Sequence, residues 1–142
     1  PPLAAWKTPA GAAWGELRRV SSLPATFASQ GVTSTLPLTL TWQLAAPAAP
    51  TLSAFVHLRD AAGHNVAQAD GQPMWFGSRP FSAWSAGQSG SDRRNLELPA
   101  SLAPGVYTLT LGLYDTDSGQ RLPLAAGGDE AVVGTVVVQQ AK

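Results

Sequence analysis

The sequence predicts an all-β fold, an antiparallel immunoglobulin-like β-sandwich of about 7–9 short strands. Three observations carry that expectation. Twelve prolines and fourteen glycines recur at short intervals and leave little room for long helices. Leu36, Leu38, Leu40, Trp42 and Leu44 alternate with Pro37, Thr39, Thr41 and Gln43, the period-two pattern of a strand with one dry and one wet face. Turn residues then separate further short apolar runs as far as the valine-rich Ala131–Gln139. A closed barrel is the competing architecture; uneven strand lengths and an irregular aromatic interval favour the sandwich.

Taken in order, residues 1–15 are rich in Pro, Ala and Gly and read as a linker or lead-in arm, leaving 16–142 as the single sandwich domain. Glu16 to Ser21 is a first, weakly patterned strand. Pro37 suggests that the next strand, Leu36–Leu44, starts at a sheet edge or outside the ladder. Ala45–Pro50 connects to a strand over Leu52–Asp60, with Leu52, Ala54, Val56 and Leu58 on one face and Phe55 and His57 on the other. Asp60-Ala61-Ala62-Gly63 is a turn with a positive φ expected at Gly63, so Asn65–Asp70 returns as a hairpin partner.

Gly71–Ser91 shows no alternation, and a connection this long in a compact domain is either functional or folded over the core. Arg93–Leu98 resumes as a strand with Leu96 and Leu98 inward. Pro104-Gly105 turns into Val106–Asp115, where Tyr107, Leu109, Leu111 and Leu113 share a face. Thr116–Gly119 makes a hairpin to Gln120–Leu124, and Arg121 is placed to pair with Asp115 or Asp117 across it.

At 142 residues the chain can bury one substantial core, and 44% apolar content suits a globular domain. Nine basic and nine acidic groups cancel, so the surface offers no electrostatic reason to bind nucleic acid or an anionic membrane. The absence of cysteine removes disulfides, thiolate metal sites and Cys nucleophiles. No apolar run approaches the roughly 18–20 residues that cross a bilayer, so direct membrane insertion is not expected. The chain begins at Pro1-Pro2 without an initiating Met and reads as a piece of a longer polypeptide.

Catalytic constellations are sparse, and no catalytic residue, metal or cofactor is assigned. Asp60, Asp70, Asp115, Asp117 and Asp129 all sit in turn signals, where Asp bonds its own backbone. No Gly-x-Ser-x-Gly elbow accompanies His57 or His64, and His57 is read as a strand residue with a hydrogen-bonded ring. The remaining feature is the aromatic group Trp75, Phe76, Phe81 and Trp84. Exposed on a rim, these rings could stack on sugars while Asp70, Gln72 or Arg79 bonds hydroxyls; the competing reading is that they plug the end of the sandwich. Arg93-Arg94 is a basic pair too small for a nucleic-acid surface.

The ordered string Phe55-Val56-His57-Leu58, Gly63, Ala67-Gln68-Ala69-Asp70, Pro73, Trp84-Ser85-Ala86-Gly87 and Asp92 continues with Leu98-Pro99, Pro104-Gly105-Val106-Tyr107, Gly112-Leu113-Tyr114-Asp115 and Arg121-Leu122. Together these resemble the soluble C-terminal β-sandwich domains of bacterial polytopic membrane glycosyltransferases of the family 39 type, related to dolichyl-phosphate-mannose–protein mannosyltransferases. The resemblance covers about residues 16–138. Phe81, Ala86, Gln88 and Gly90 depart from the pattern, all around the aromatic interval. The resemblance implies a non-catalytic, extracytoplasmic accessory domain (periplasmic or cell-surface) whose partner is a glycan or acceptor, or its own membrane portion. It transfers no catalytic residue to this chain. The alternative is a purely structural or protein–protein interaction module.

Overall fold

The computed structural model describes residues 2–21, 23, 25–29, 33–75 and 79–140. Among them run eleven strands: β1 (Ala4–Lys7), β2 (Ala13–Val20), β3 (Ala25–Ser29), β4 (Ser34–Leu44), β5 (Leu52–Arg59), β6 (Asn65–Gln68), β7 (Met74–Trp75), β8 (Arg79–Pro80), β9 (Ser89–Leu98), β10 (Gly105–Asp115) and β11 (Ala131–Gln140). They form two packed sheets, in the order β1-β2-β4-β9-β7-β8 and β3-β11-β10-β5-β6. This is an all-β sandwich, as the period-two pattern predicts.

The alternation fixes the core. Leu36, Leu38, Leu40, Trp42 and Leu44 of β4 face Leu109, Leu111 and Leu113 of β10 and Ala54, Val56 and Leu58 of β5 across the sandwich, all within one buried cluster. Each fully buried Leu or Val contributes about 1.5–3 kcal/mol relative to exposure, so these three strands supply the largest part of the driving force. Gly63 has φ +85°, and the Asp60 side chain accepts hydrogen bonds from Ala62 and His64 N–H, which closes the β5–β6 hairpin as expected.

Pro37 sits inside β4, opposite Asn95 of β9. Thr39 bonds Ser21 on the β2 side through both its N–H and its carbonyl. Strand alternation therefore directs the Pro37 nitrogen to the same side, just past the end of β2, where no ladder bond is needed. One pairing departs from the antiparallel expectation: β3 runs parallel to β11 at the sheet edge. A parallel pair needs a long crossover, and nearly the whole domain lies between these two strands.

The reading of residues 1–15 as a linker is corrected. β1 pairs with β2 from Ala4↔Leu17 to Lys7↔Ala13, and its other edge bonds Pro123 and Ala125. Trp6 and Trp14 are core residues, Trp6 packing on Trp42 at 5.5 Å and Trp14 on Phe81 at 5.1 Å. Pro, Ala and Gly gave the segment a linker's composition, but two indoles carry enough apolar area to bind it to the core.

β9 begins earlier than the expected Arg93, at Ser89. Its inward positions are Gly90, Asp92, Arg94, Leu96 and Leu98. Gly90 stands where a Cβ would lie 2.7 Å from the Trp84 ring, so a glycine here makes space for that indole.

Candidate functional site

Two regions hold the residues with chemical potential. The first is the interval from Asp70 to Asp92, which leaves the five-stranded sheet at β6 and enters the six-stranded sheet at β7. Its route is set by one buried ion pair. Asp92 and Arg94 project inward from β9, 2% and 8% exposed, with Arg94 Nε donating to Asp92 Oδ2 at 2.9 Å. Arg94 Nη1 donates to the carbonyls of Ala54 and Ala69, and Nη2 to that of Gly71. The other Asp92 oxygen accepts the Met74 N–H at 3.3 Å. One guanidinium thus ties the crossing segment to both sheets. Burial raises the Asp92 carboxyl above its ordinary range, opposed by the charge and hydrogen bond of Arg94.

The far end of the interval is anchored by aromatics. Phe81 is 0% and Trp84 2% exposed, stacked edge to face at 4.9 Å, and Phe81 also meets Trp14 and Trp42. The Trp84 indole N–H donates to the Arg79 carbonyl at 3.1 Å. The expectation that these two rings stack on sugars is corrected: they plug the sandwich, and neither presents a free face. Their burial supplies the apolar area that fixes the segment around Phe81 and Trp84 to the core.

The other expected contact residues are scattered. Trp75 pairs through its backbone with Arg79 and Asp92, in a β7–β8 hairpin. Phe76 lies outside the described residues. Arg79 is exposed on β8. The Gln72 amide donates to the Pro50 carbonyl at 3.2 Å, a bond that holds it to the β4–β5 connection. Asp70 accepts the Val56 N–H at 3.2 Å and lies 3.5 Å from His57 Nε2.

Asp70 belongs to the second region, the outer face of the five-stranded sheet. Phe55, His57, Asp70, Tyr114, Gly119 and Arg121 line a shallow pocket of about 330 Å³ there. Phe55 pairs with Gly112, where a Cβ would come within 2.2 Å of the ring; only a glycine lets Phe55 lie flat on the sheet. Phe55 packs on His57 at 4.7 Å and on Tyr114 at 6.4 Å. The Arg121 guanidinium sits over the ring, 4.4 Å from its centroid, and Nη1 reaches Asp129 at 3.3 Å and Glu130 at 3.6 Å.

Two expectations change here. Arg121 pairs with Asp129 and Glu130 rather than Asp115 or Asp117, because Asp115 is occupied: the Ser118 N–H, the Thr51 hydroxyl and the Asp117 N–H hold its carboxyl below its ordinary range. His57 Nδ1 is buried without a hydrogen-bond partner, so the ring is held by packing on Phe55 and by Nε2 facing Asp70 at 3.5 Å. Burial lowers the His57 pKa from 6.5; Asp70 opposes that shift and Arg59 adds to it. Glu130 is pushed up by burial, yet hydrogen bonds from Arg59 and Thr110 and the charges of Arg59 and Arg121 outweigh this and leave it lowered. Arg59 holds it through Nε and Nη2 at 2.7 and 3.1 Å.

A larger groove of about 620 Å³ runs along β1, β2 and the end of β4. Four alanines, Gly15 and Leu44 share its lining with Lys7, Glu16 and Arg18, and the last two are bonded to each other. Among the described residues no group of three or more His, Cys, Asp or Glu side chains could hold a metal ion.

Sequence reasoning missed Asp92, Arg94, Phe55 and Tyr114 as organising residues. The signal was present: extending the Leu96/Leu98 alternation backwards puts Arg94 and Asp92 inside, and the out-of-phase Phe55 and His57 mark a second, outward face. No protein-family model and no curated protein matches this chain.

Proposed function

We propose that this chain is a non-catalytic accessory domain of a membrane glycosyltransferase-like protein, extracytoplasmic and tethered through that parent, which positions a glycan or acceptor. The observation that carries the reading is the mounting of the β7–β8 hairpin. Arg94 and Asp92 hold its start, Phe81 and Trp84 hold its end, and Arg79 is exposed between them. Binding segments are characteristically displayed in this way, on loops set by a rigid scaffold. The resemblance supplies the parent and the ligand class. An immunoglobulin-like kinship belongs to the same proposal, supported by two packed, mainly antiparallel sheets.

The test is a titration with an oligosaccharide panel, following tryptophan emission and backbone amide shifts. Saturable shifts in residues 72–80 are the expected result; a panel that moves no amide anywhere in the domain refutes glycan positioning. A second reading, a protein-interaction module, is favoured by one groove of about 380 Å³. Exposed Leu3 and Val132 line it together with Leu124 and several alanines. Packing of this groove on the parent's membrane portion would slow exchange of the Leu3 and Val132 amides in the full-length protein.

A further inference from the structure

We propose that the outer face of the five-stranded sheet carries a separate contact site, a shallow pocket that takes one neutral polyhydroxyl unit such as a single sugar ring. The site is lined by Phe55, His57, Asp70, Tyr114, Gly119 and Arg121. Its location rests on the geometry alone; its ligand class rests on the glycan-positioning reading.

Size comes first. About 330 Å³ lies at the lower end of small-molecule pockets, which suits one ring rather than a chain. The groups are also fixed in place. Gly112 leaves room for Phe55, Phe55 supports the plane of the Arg121 guanidinium, and the Val56 N–H orients the Asp70 carboxylate. A stacked guanidinium and a carboxylate offer a donor and an acceptor to adjacent hydroxyls, beside the partly exposed ring of Tyr114.

Charge then selects the ligand. Arg121 and Arg59 stand against Asp70, Asp129 and Glu130, while the lowered pKa keeps His57 neutral near pH 7. Of these charged groups only Asp70 and Arg121 line the pocket, so an anion drawn to Arg121 is repelled by Asp70, and a cation drawn to Asp70 is repelled by Arg121. A neutral ligand carrying both donors and acceptors meets neither repulsion.

The experiment is an amide-shift titration of the intact domain with methyl α-D-glucopyranoside and myo-inositol, with acetate and tetramethylammonium as charged controls. Saturable shifts at Phe55, His57, Asp70, Tyr114, Gly119 and Arg121 with the neutral probes are expected, weakened at least tenfold in Arg121→Gln and Asp70→Asn. Unchanged amide positions elsewhere show that each variant remains folded. Shifts at this face with the charged probes alone overturn the proposal. Sugar-induced shifts confined to residues 72–80 overturn it while leaving glycan positioning intact. No shift with any probe also overturns it, and silence across the oligosaccharide panel as well removes both readings.

Discussion

The Asp70–Asp92 interval and the outer face of the five-stranded sheet use the same residue types, aromatic rings with Arg and Asp, to opposite ends. In the interval the Phe81 and Trp84 rings are buried and the guanidinium of Arg94 is spent on three backbone carbonyls and Asp92. On the sheet face Arg121 is partly exposed, stacked on Phe55 and held by two longer contacts. The difference teaches that burial, more than residue identity, decides whether such a cluster holds a fold or meets a ligand. Most buried polar atoms at inward positions are bonded within the fold, whereas outward positions can leave capacity for a partner.

Replacing Arg94 with Met should have the largest effect. It strands a buried carboxylate and three carbonyls, and loss of one partner of such a pair costs about 3–5 kcal/mol. Urea unfolding should show that loss, and Arg94→Met combined with Asp92→Leu should recover part of it. If Arg94→Met unfolds at the wild-type midpoint, the two regions do not differ as claimed.

Gly112→Ala and Gly90→Ala come next. The new methyl groups would meet the Phe55 and Trp84 rings at 2.2 and 2.7 Å, so something must move in each case. Overpacking of this kind costs about 1–3 kcal/mol. The comparison sharpens if Gly112→Ala also disturbs the Arg121 side-chain resonances while Gly90→Ala leaves them in place.

A smaller effect should appear with pH. Folded His57 resists protonation, whereas the unfolded chain takes up a proton near 6.5. The stability this contributes is complete above 6.5 and is lost as the pH falls through the lower, folded value. Asp92 runs the other way: its raised pKa contributes stability that is full below 3.8 and lost as the pH rises through the folded value. Wild type and His57→Gln are therefore compared directly. Thermal melts should show wild type losing more stability than the variant as the pH is lowered from 7 toward 5. Identical slopes would count against the packed, neutral imidazole.

Arg121→Ala should be the mildest change. A partly exposed cation over an aromatic ring contributes about 0.5–1 kcal/mol, and its ion pairs add little. A loss near that of Arg94→Met would make the sheet face structural rather than available.

Much of this was legible in the sequence. The β4 and β10 alternations name their inward residues, and Asp60 with Gly63 sets a hairpin whose backbone geometry follows. Period-two patterns are local, so strands governed by them can be read without tertiary information. The interval resisted reading because its order comes from long-range contacts: Trp84 depends on Gly90, and Gly71 on Arg94. Residues 1–15 misled for the same reason, since Trp6 and Trp14 find their partners in Trp42 and Phe81. On the outer face, Phe55 and His57 were visibly out of phase, but the bond from the Val56 N–H to Asp70 and the reach of Arg121 require the fold.

Iodide quenching of tryptophan emission in a Trp75→Phe variant tests the division between the two regions most directly. Trp6, Trp14, Trp42 and Trp84 remain, and all four are buried. The account predicts emission that iodide leaves almost untouched. A quenchable fraction that disappears on adding Trp84→Phe would contradict it, placing that indole at the surface and returning the interval to the role of a stacking platform.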